Sequence, residues 1–393
     1  MKQYGKRYLL FLIVLLGALS AFGPFVTDFY LPVMPSMATV FSTSASIVQL
    51  GLAASMIGLA VGQLIFGPLS DKWGRRPVLL ASMALFTVSA LVCLFSPTIE
   101  FFNVCRFLQG LGGAGGIVLS RSIATDCWSG RELAKSLTII SAINGVAPVA
   151  APVIGGFTGQ YTGWKGIFII LLGLGVVLSL MCLWFRESVA VEKRIEGSWK
   201  KVAQSFFRLF RNRYFNICLA IYGFGYCVLF GYLSSASFIV QNHFGFNEIQ
   251  FSLIFAFNAF GSIIGSVLAL KFKEMKNAAF FAMTGIFLAA GLQFAFVFIA
   301  DNFLIYETLT FLMLFFLGFM FPSVTSLSME EGKEAVGSSS AILGTVGYFS
   351  GGVISPLVGL GDIFITSALV IFLFSIGGAI AGFVMHRRPL LKS

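Results

Sequence analysis

The sequence predicts an all-α membrane protein whose twelve transmembrane helices form two six-helix bundles related by pseudo-two-fold symmetry. Three observations support this fold class. The 393 residues are 58% hydrophobic and 11% charged, whereas an ordinary soluble domain has about 25% charged residues. Apolar stretches follow one another from Tyr8 to Met385, each near the roughly 20 residues that cross a bilayer. One long polar segment, 186–212, divides these stretches into six and six.

Apolar length and loop charge together define the predicted helices. In the first half they are 8–30, 47–69, 77–96, 100–125, 135–157 and 165–185. In the second half they are 213–240, 248–270, 277–299, 304–328, 336–358 and 362–385. The predicted domains are an N-terminal bundle, a cytoplasmic linker and a C-terminal bundle, at 1–187, 188–212 and 213–393.

The first apolar stretch is expected to stay in the mature protein. It has the basic flank of a signal peptide, at Lys2, Lys6 and Arg7, but no small-residue cleavage site follows it. We therefore interpret it as a retained first helix.

Basic residues occupy alternate loops, among them Lys72, Arg75, Arg76, Arg131, Lys135, Lys193, Arg194, Lys271 and Arg387. The other loops hold one basic residue, Lys165, and the acids Glu100, Glu248, Asp301 and Asp362. This pattern follows the positive-inside rule and predicts that both termini lie in the cytoplasm. The net charge of +10 therefore reflects membrane topology, and no nucleic-acid partner is expected.

The polar segment contains a candidate amphipathic helix. Aromatic and apolar residues alternate there with basic ones at Trp199, Lys200, Lys201, Val202, Phe206, Phe207, Arg208, Phe210 and Arg211. This spacing fits a helix that lies in the headgroup layer. A solvated connector that only tethers the halves is an equal alternative.

Short runs in the two halves resemble each other. The run 106–110 in the fourth helix resembles 315–319 in the tenth, and 151–155 in the fifth resembles 355–359 in the eleventh. Each pair has the same rank within its half. This favours a duplicated bundle with a transport path between the halves.

Among the ionisable residues of the predicted helices, Arg106 and Asp28 are the main functional candidates, because a charge within the membrane is costly. Arg106 lies two turns after Ile99, about 10 Å along the fourth helix. Asp28 ends the first helix at an overlapping depth, so the two side chains could form an ion pair or share a water. In general, burial raises the pKa of a carboxyl group and a nearby guanidinium lowers it. The balance can make such a group titrate in the range that a proton carrier needs. The alternatives are a structural ion pair or a carbonyl clamp for Arg106, and an interfacial acid for Asp28.

The short loop between the second and third helices has a specific pattern, with glycine at Gly67 and Gly74, an acid at Asp71, and Arg75 and Arg76 after it. The glycines permit close helix approach and a tight turn. Asp71 is suited to accept hydrogen bonds from a neighbouring helix N-terminus. We therefore expect a conformational latch here, although the arginines would serve as a topology signal alone.

The fifth and fourth helices are rich in glycine and proline. The fifth carries Gly145, Pro148, Pro152, Gly155 and Gly156 after Asn144. Because proline bends a helix and glycine permits close packing, this segment is a candidate gate.

The fourth helix carries Gly110, Gly112, Gly113, Gly115 and Gly116. No strand precedes these glycines and no Lys-Ser/Thr pair follows them, so a phosphate-binding loop is rejected. We expect them to form a face for helix packing.

Aromatic and polar residues within helices are candidates for a substrate cavity: Phe22, Tyr30, Gln109, Asn144, Tyr222, Tyr226, Tyr232, Asn258 and Gln293. The six cysteines have no paired spacing, and the histidines, His243 and His386, lie near predicted membrane edges. Neither a disulfide framework nor a metal site is expected.

These motifs resemble those of the major facilitator superfamily. The loop 67–76 resembles its signature between helices two and three, Arg106 with Gln109 and Gly110 its fourth-helix motif, and 145–156 its antiporter motif. The run 27–32 with Pro35 resembles the first-helix signature of the bicyclomycin/chloramphenicol-resistance (Bcr/CflA type) branch. Alanine precedes Pro152 where the antiporter motif has glycine, and the loop 271–276 lacks the Gly/Asp pattern.

The resemblance implies a proton-coupled multidrug efflux antiporter of the bacterial inner membrane. It implies protonation at Asp28, support from Arg106 and a latch at Asp71. The expected ligands are protons and small lipophilic drugs, with no cofactor besides the proton gradient, and we expect a monomer surrounded by lipid. One alternative is a proton-coupled uptake symporter for a small nutrient. A membrane enzyme or a receptor is a remote alternative, because no nucleophile elbow or metal-ligand cluster is evident.

Overall fold

The computed structural model describes residues 5–189, 199–299, 301–333 and 336–387. Across these ranges every regular element is a helix, as predicted. The chain forms two compact units, Met1–Val202 and Ala203–Ser393, called here the N-terminal and C-terminal units. The predicted linker 188–212 falls partly outside the described residues.

The helices of the N-terminal unit run through its whole length. They are α1 Lys6–Ser20, α2 Phe22–Thr27, α3 Met34–Val40, α4 Ala45–Trp73, α5 Arg75–Leu94, α6 Ile99–Cys127 and α7 Gly130–Trp184. A 3₁₀ turn, Leu31–Val33, links α2 to α3. The helix α8, Trp199–Arg211, follows at the boundary between the units.

The C-terminal unit continues with six long helices. They are α9 Arg213–Phe238, α10 Glu248–Ala269, α11 Met275–Phe296, α12 Phe303–Glu331, α13 Val336–Leu357 and α14 Ile363–Arg387. A π-helical turn, Ile239–His243, extends α9. These helices begin and end within a few residues of their predicted bounds.

Nine helices of the described chain are long and apolar enough to cross a membrane, or ten when the bent first span is included. One of the nine, α7, has 55 residues and contains the non-helical Gly163 (φ 64°, ψ −169°). It therefore supplies two crossings, as predicted. The helix α6 has 29 residues but is less apolar because of its charged residues and glycines. With α6 and both parts of α7, the prediction of twelve transmembrane helices stands.

The first span differs from the predicted continuous helix 8–30. It breaks after Ser20, and the parts Arg7–Ser20 and Phe22–Val40 meet at a bend of 42°. Within the second part, α2 already ends at Thr27. Pro24 explains the break, because proline has no N–H to donate to the carbonyl of Ser20. The end of α2 at Thr27 leaves its last backbone carbonyls free to accept hydrogen bonds from side chains.

The prolines of α7 do not interrupt it. The backbone stays helical through Pro148 and Pro152, and the non-helical residue is Gly163. The glycine is suited to this place because its positive φ is strained for residues with a Cβ atom. The predicted gate at the prolines is therefore a continuous stretch of helix.

Glycines bring equivalent helix pairs into backbone contact in the two units. A Cβ atom on Gly110 of α6 would lie 2.0 Å from the carbonyl oxygen of Ser55 in α4. A Cβ atom on Gly318 of α12 would lie 2.1 Å from the carbonyl oxygen of Ser262 in α10. The duplication is therefore real, but Gly110 corresponds to Gly318. The sequence comparison, which paired it with Phe319, was out of register by one residue.

The helix α8 contributes apolar side chains to the C-terminal unit. Leu209 is buried in a cluster with Phe215 and Ile342, and Phe206 packs against this cluster. Phe207 is 61% exposed, and the guanidinium carbon of Arg211 lies 4.8 Å from its ring centre. The side chains of 199–203 lie outside the described residues. The amphipathic character of 206–211 is confirmed, and a position in the headgroup layer stays a prediction.

Candidate functional site

Arg106 is the most deeply enclosed charged residue of the described chain. It lies seven residues after the first residue of α6, as predicted, and its side chain has no solvent exposure. A charge in this position must be balanced by polar groups of the protein. The contacts of Arg106 therefore define the candidate site.

Neutral groups surround the Arg106 guanidinium. Its Nη2 donates to the carbonyl oxygen of Val26 in α2 and, over 3.1 Å, to Oγ of Ser55 in α4. Its Nη1 donates to Oε1 of Gln109. The guanidinium carbon lies 4.3 Å from the centre of the Tyr30 ring, a cation–π distance. The carbonyl of Val26 is available because α2 ends at Thr27, so the early end of this helix supplies part of the site.

Asp28 follows α2 directly and is 6% exposed. Its Oδ1 accepts a hydrogen bond of 2.6 Å from Oγ1 of Thr27. No ion pair joins Asp28 to Arg106 in the described structure, so the direct pairing expected from the sequence is not formed. The reason is local, since the Val26 carbonyl and the Gln109 amide already occupy the guanidinium. Arg106 and Asp28 thus each contact neutral groups and do not neutralise one another.

An aromatic cluster encloses this polar group. The ring of Phe168 lies 5.6 Å from the Arg106 guanidinium carbon and 6.3 Å from the Tyr30 ring. Phe102 and Trp164 pack against Phe168 at 5.2 and 6.0 Å. The sequence did not identify these three residues, although the four-residue spacing of Trp164 and Phe168 is a signal that they share a helix face.

Phe22 joins the same region by packing edge-on against Phe86 at 4.5 Å. It also lies 3.4 Å from the position that a Cβ atom of Gly113 would take. Three predicted cavity residues, Phe22, Tyr30 and Gln109, thus lie around Arg106 in the N-terminal unit. Asn144 is half-buried in α7, and no contact connects it with this group.

The antiporter motif of α7 packs against the broken first span. A Cβ atom on Gly155 would lie 2.0 Å from the carbonyl oxygen of Phe29. Pro152 and Gly156 are buried, and Pro148 is half-buried. Gly145 has no atom within 4 Å of its Cβ position. Gly155 therefore has a clear role, because any side chain there would displace the residue next to Asp28.

The predicted latch forms an ionic network around Arg75. Its Nη1 contacts Oδ1 of Asp71 and lies 2.6 Å from Oγ of Ser70, and its Nε lies 2.9 Å from Oδ2 of Asp126. Gly74, at φ 99°, makes the turn that places Arg75 at the start of α5. A Cβ atom on Gly67 would lie 3.5 Å from Val118, an ordinary van der Waals distance. The sequence predicted Arg75 and Asp71 as members of this network, whereas Asp126 is identified by the tertiary structure.

The acid that accepts hydrogen bonds at the N-terminus of α5 is Glu187, and not Asp71 as the sequence predicted. Its two carboxylate oxygens each accept a hydrogen bond of 3.0 Å, from the backbone N–H of Arg75 and of Arg76. The Arg76 guanidinium donates to the carbonyl of Leu183 over 2.8 Å. Asp71 forms an ion pair with the Arg75 side chain, and Glu187 accepts the hydrogen bonds expected of Asp71. A carboxylate placed 112 residues further along the chain gives no local sequence signal.

The C-terminal candidates form two groups. Tyr222 and Tyr226 lie 4.9 Å apart by ring centres, and both pack edge-on against Phe321 of α12. Asn258 is 1% exposed, and its Nδ2 donates over 3.1 Å to the hydroxyl of Tyr232. No group of three or more His, Cys, Asp or Glu suited to a metal occurs in the described chain.

Comparison with known proteins identifies the family. The family model of the Major Facilitator Superfamily matches residues 10–356. The Uncharacterized MFS-type transporter YdgK of Bacillus subtilis (strain 168) is 34% identical over 382 residues, covering 95% of this chain and 94% of that protein. The Bicyclomycin resistance protein homolog of Haemophilus influenzae is 27% identical over 359 residues, covering 88% of each.

The fold agrees with a solved transporter structure. A bacterial homolog of the human lysosomal transporter Spinster superposes with a TM-score of 0.78 at 14% identity, covering 98% of both chains. At this identity the likeness concerns the fold alone. The match over most of the chain and the identity to these relatives show that the chain belongs to the Major Facilitator Superfamily, in its bicyclomycin/chloramphenicol-resistance branch.

Proposed function

We propose that this membrane transporter is a proton-coupled antiporter that exports small lipophilic drug-like molecules by alternating access. The transporter family leaves no reason for the enzyme or receptor alternative. The name of the Haemophilus influenzae relative associates that protein with resistance to bicyclomycin, which supports a drug-like substrate here. The proposal places the protein in the bacterial inner membrane with both termini in the cytoplasm, as the loop charges predict.

The observation that supports the proposal is that Asp28 and Arg106 form no ion pair in the described structure. An ionised carboxylate or a guanidinium is costly to bury without an opposite charge. Arg106 has only neutral partners, and Asp28 has only the Thr27 hydroxyl. The arrangement is therefore suited to a neutral, protonated Asp28.

Loss of that proton would change the balance within the site. An ionised Asp28 would be attracted to Arg106, which is held to α2 through Val26, two residues earlier. Forming the ion pair requires the guanidinium to leave the Val26 carbonyl or the segment after α2 to shift. Proton release at Asp28 is thereby linked to movement of the broken span, against which Gly155 of α7 is packed.

The test is drug-driven proton movement in liposomes that contain purified protein, across several lipophilic antibiotics. Asp28→Asn keeps the shape and removes the titration, so we expect at least about a tenfold loss of proton exchange, equivalent to 1.4 kcal/mol, with drug binding retained. Glu100→Gln is the matched control, because Glu100 is exposed in the first turn of α6. Full exchange in Asp28→Asn would disprove the coupling role.

The same liposomes separate export from uptake. With an inward proton gradient, an antiporter moves drug outward against the protons, whereas a symporter accumulates solute together with them. Accumulation of a sugar, an organic acid or a peptide under that gradient, without drug exchange, would replace the export proposal by the symport alternative.

A further inference from the structure

The C-terminal unit contains a buried carboxyl group that the proposed coupling at Asp28 does not use. Glu307 is the fifth residue of α12, about 6 Å along the helix at 1.5 Å per residue. Both of its carboxyl oxygens are shielded from solvent, and neither has a well-formed hydrogen bond in the described structure. An ionised carboxylate in such a place would be unstable, so the group needs either a proton or a rearranged neighbour.

The polar neighbour of Glu307 is Asn258 of α10, whose side chain interacts with the carboxyl group. The Nδ2 of Asn258 donates to the Tyr232 hydroxyl of α9 over 3.1 Å, while its Oδ1 is buried without a partner. The Asn258 Oδ1 and both Glu307 carboxyl oxygens are thus buried acceptors that lack a donor in the described structure. A proton on Glu307 supplies that donor, because a protonated carboxyl can donate to Oδ1.

Within the described residues, the helices packed around Glu307 form no ion pair with it. The ionisable groups near it are the phenols of Tyr232 on α9 and Tyr306 on α12 itself. The helix α11 faces α12 with Gln293, which donates to Thr310 over 3.1 Å. Charged residues of the helices packed on α12 stand at their starts, at Arg213, Glu248 and Lys276, and α13 has none.

Other polar and charged residues lie near the ends of these helices. Beside the start of α12, Nε2 of His243 lies 2.8 Å from Oδ1 of Asp301, with 33% and 70% of their side chains exposed. Lys276 is paired with Glu274 at 3.3 Å. No described basic residue forms an ion pair with Glu307. The enclosed carboxyl oxygens also leave no room for an organic cation, so the ligand that fits is a proton.

We propose that Glu307 is a proton-binding site of the C-terminal unit, and that the Asn258 amide transmits its protonation state to Tyr232. With Glu307 protonated, the carboxyl O–H donates to Oδ1 of Asn258 and Nδ2 donates to the Tyr232 hydroxyl. With Glu307 ionised, the amide turns over. Nδ2 then donates to the carboxylate, and the Tyr232 hydroxyl donates to Oδ1. Each state satisfies all three groups, and the turn of the amide couples α12 to α9.

This site is independent of Asp28 and adds a second proton-binding carboxyl to the transporter. Its test therefore needs no drug. Infrared difference spectra of the purified full-length protein in lipid, recorded between low and high pH, resolve protonated carboxyl groups by their C=O band. We expect Glu307→Gln to lose one component of that band. Glu330→Gln is the control, because Glu330 is an exposed acid of the same helix.

A second variant keeps the test decisive if Glu307→Gln does not fold. Asn258→Leu removes the partner of the carboxyl group, so the remaining Glu307 component should shift in frequency and in its pH midpoint. Loss of the component in Glu307→Gln, or its shift in Asn258→Leu, supports the proposal. Spectra of folded variants that match the wild type overturn it. Asp28→Asn should remove a different component, so the two carboxyl sites succeed or fail separately.

Discussion

The guanidinium of Arg106 lies over the ring of Tyr30, with 4.3 Å between its central carbon and the ring centre. Both side chains are completely buried. The ring face is electron-rich and attracts a cation without accepting a proton. This contact, together with the Val26 carbonyl, explains how a cation persists in the N-terminal unit without a carboxylate partner. It also leaves the positive charge available to an ionised Asp28.

Arg106→Lys should abolish coupling while leaving the fold intact. Lysine keeps the charge but cannot reach Val26, Ser55 and Gln109 together, because those contacts need the planar fork of arginine. Each hydrogen bond to a charged group is worth about 1.5–3 kcal/mol, so we expect at least about a tenfold loss of drug-driven proton exchange in liposomes. Arg131→Lys changes an exposed arginine and should exchange normally. Wild-type exchange by Arg106→Lys would show that the fork is dispensable.

Gly110→Ala should destabilise the N-terminal unit. Its methyl group would lie 2.0 Å from the carbonyl oxygen of Ser55, so α4 and α6 must separate, at a cost of about 1–3 kcal/mol. The helical preference of alanine returns only about 0.5–1 kcal/mol. The measurement is the thermal unfolding midpoint in detergent.

Gly145→Ala is the matched control for that experiment. Nothing lies within 4 Å of its Cβ position, and it also sits within a helix, so its unfolding midpoint should stay the same or rise. Equal destabilisation of the two variants would contradict the packing argument. If Gly145→Ala keeps its stability but loses transport, the glycine of the antiporter motif acts in the transport cycle.

Arg75→Ala should destabilise the loop between α4 and α5 by about 2 kcal/mol, since it removes hydrogen bonds between charged groups. Asp126, 20% exposed at its side chain, would lose its cation, and the more exposed Asp71 would lose its partner as well. Lys135→Ala breaks an ion pair whose members are 58% and 66% exposed, which is worth under about 1 kcal/mol. Unfolding midpoints of the two variants compare them directly, and similar values would mean that the Arg75 network contributes little.

Glu187→Ala should weaken the start of α5. The side chain accepts hydrogen bonds from two N–H groups there, and losing such a cap costs about 0.5–2 kcal/mol. Hydrogen exchange at the first turn of α5 should become faster. Glu132→Ala, which changes an exposed acid of α7, should leave that exchange unchanged. Unchanged protection in Glu187→Ala would show that water or another group replaces the cap.

Much of the fold was predictable because a bilayer constrains the sequence strongly. Helix starts such as Ile99 and Glu248 agree with the structure, since loops and spans differ sharply in polarity. The break at Ser20 was missed, although Pro24 was a local signal for it. The latch arginine Arg75 and the buried Arg106 were identified because a fixed motif or an intramembrane charge marks them.

The sequence by itself determined the helical class, the number of spans and the residues whose charge is unusual within a membrane. Only the tertiary structure decided their partners. Arg106 is held by a backbone carbonyl and an aromatic ring, and Glu187 caps a helix that starts 112 residues before it. Asn258 of α10 donates to the Tyr232 hydroxyl of α9. The physical reason is that burial follows from local hydrophobicity, whereas a hydrogen bond depends on the angle and distance between helices that are far apart in the chain.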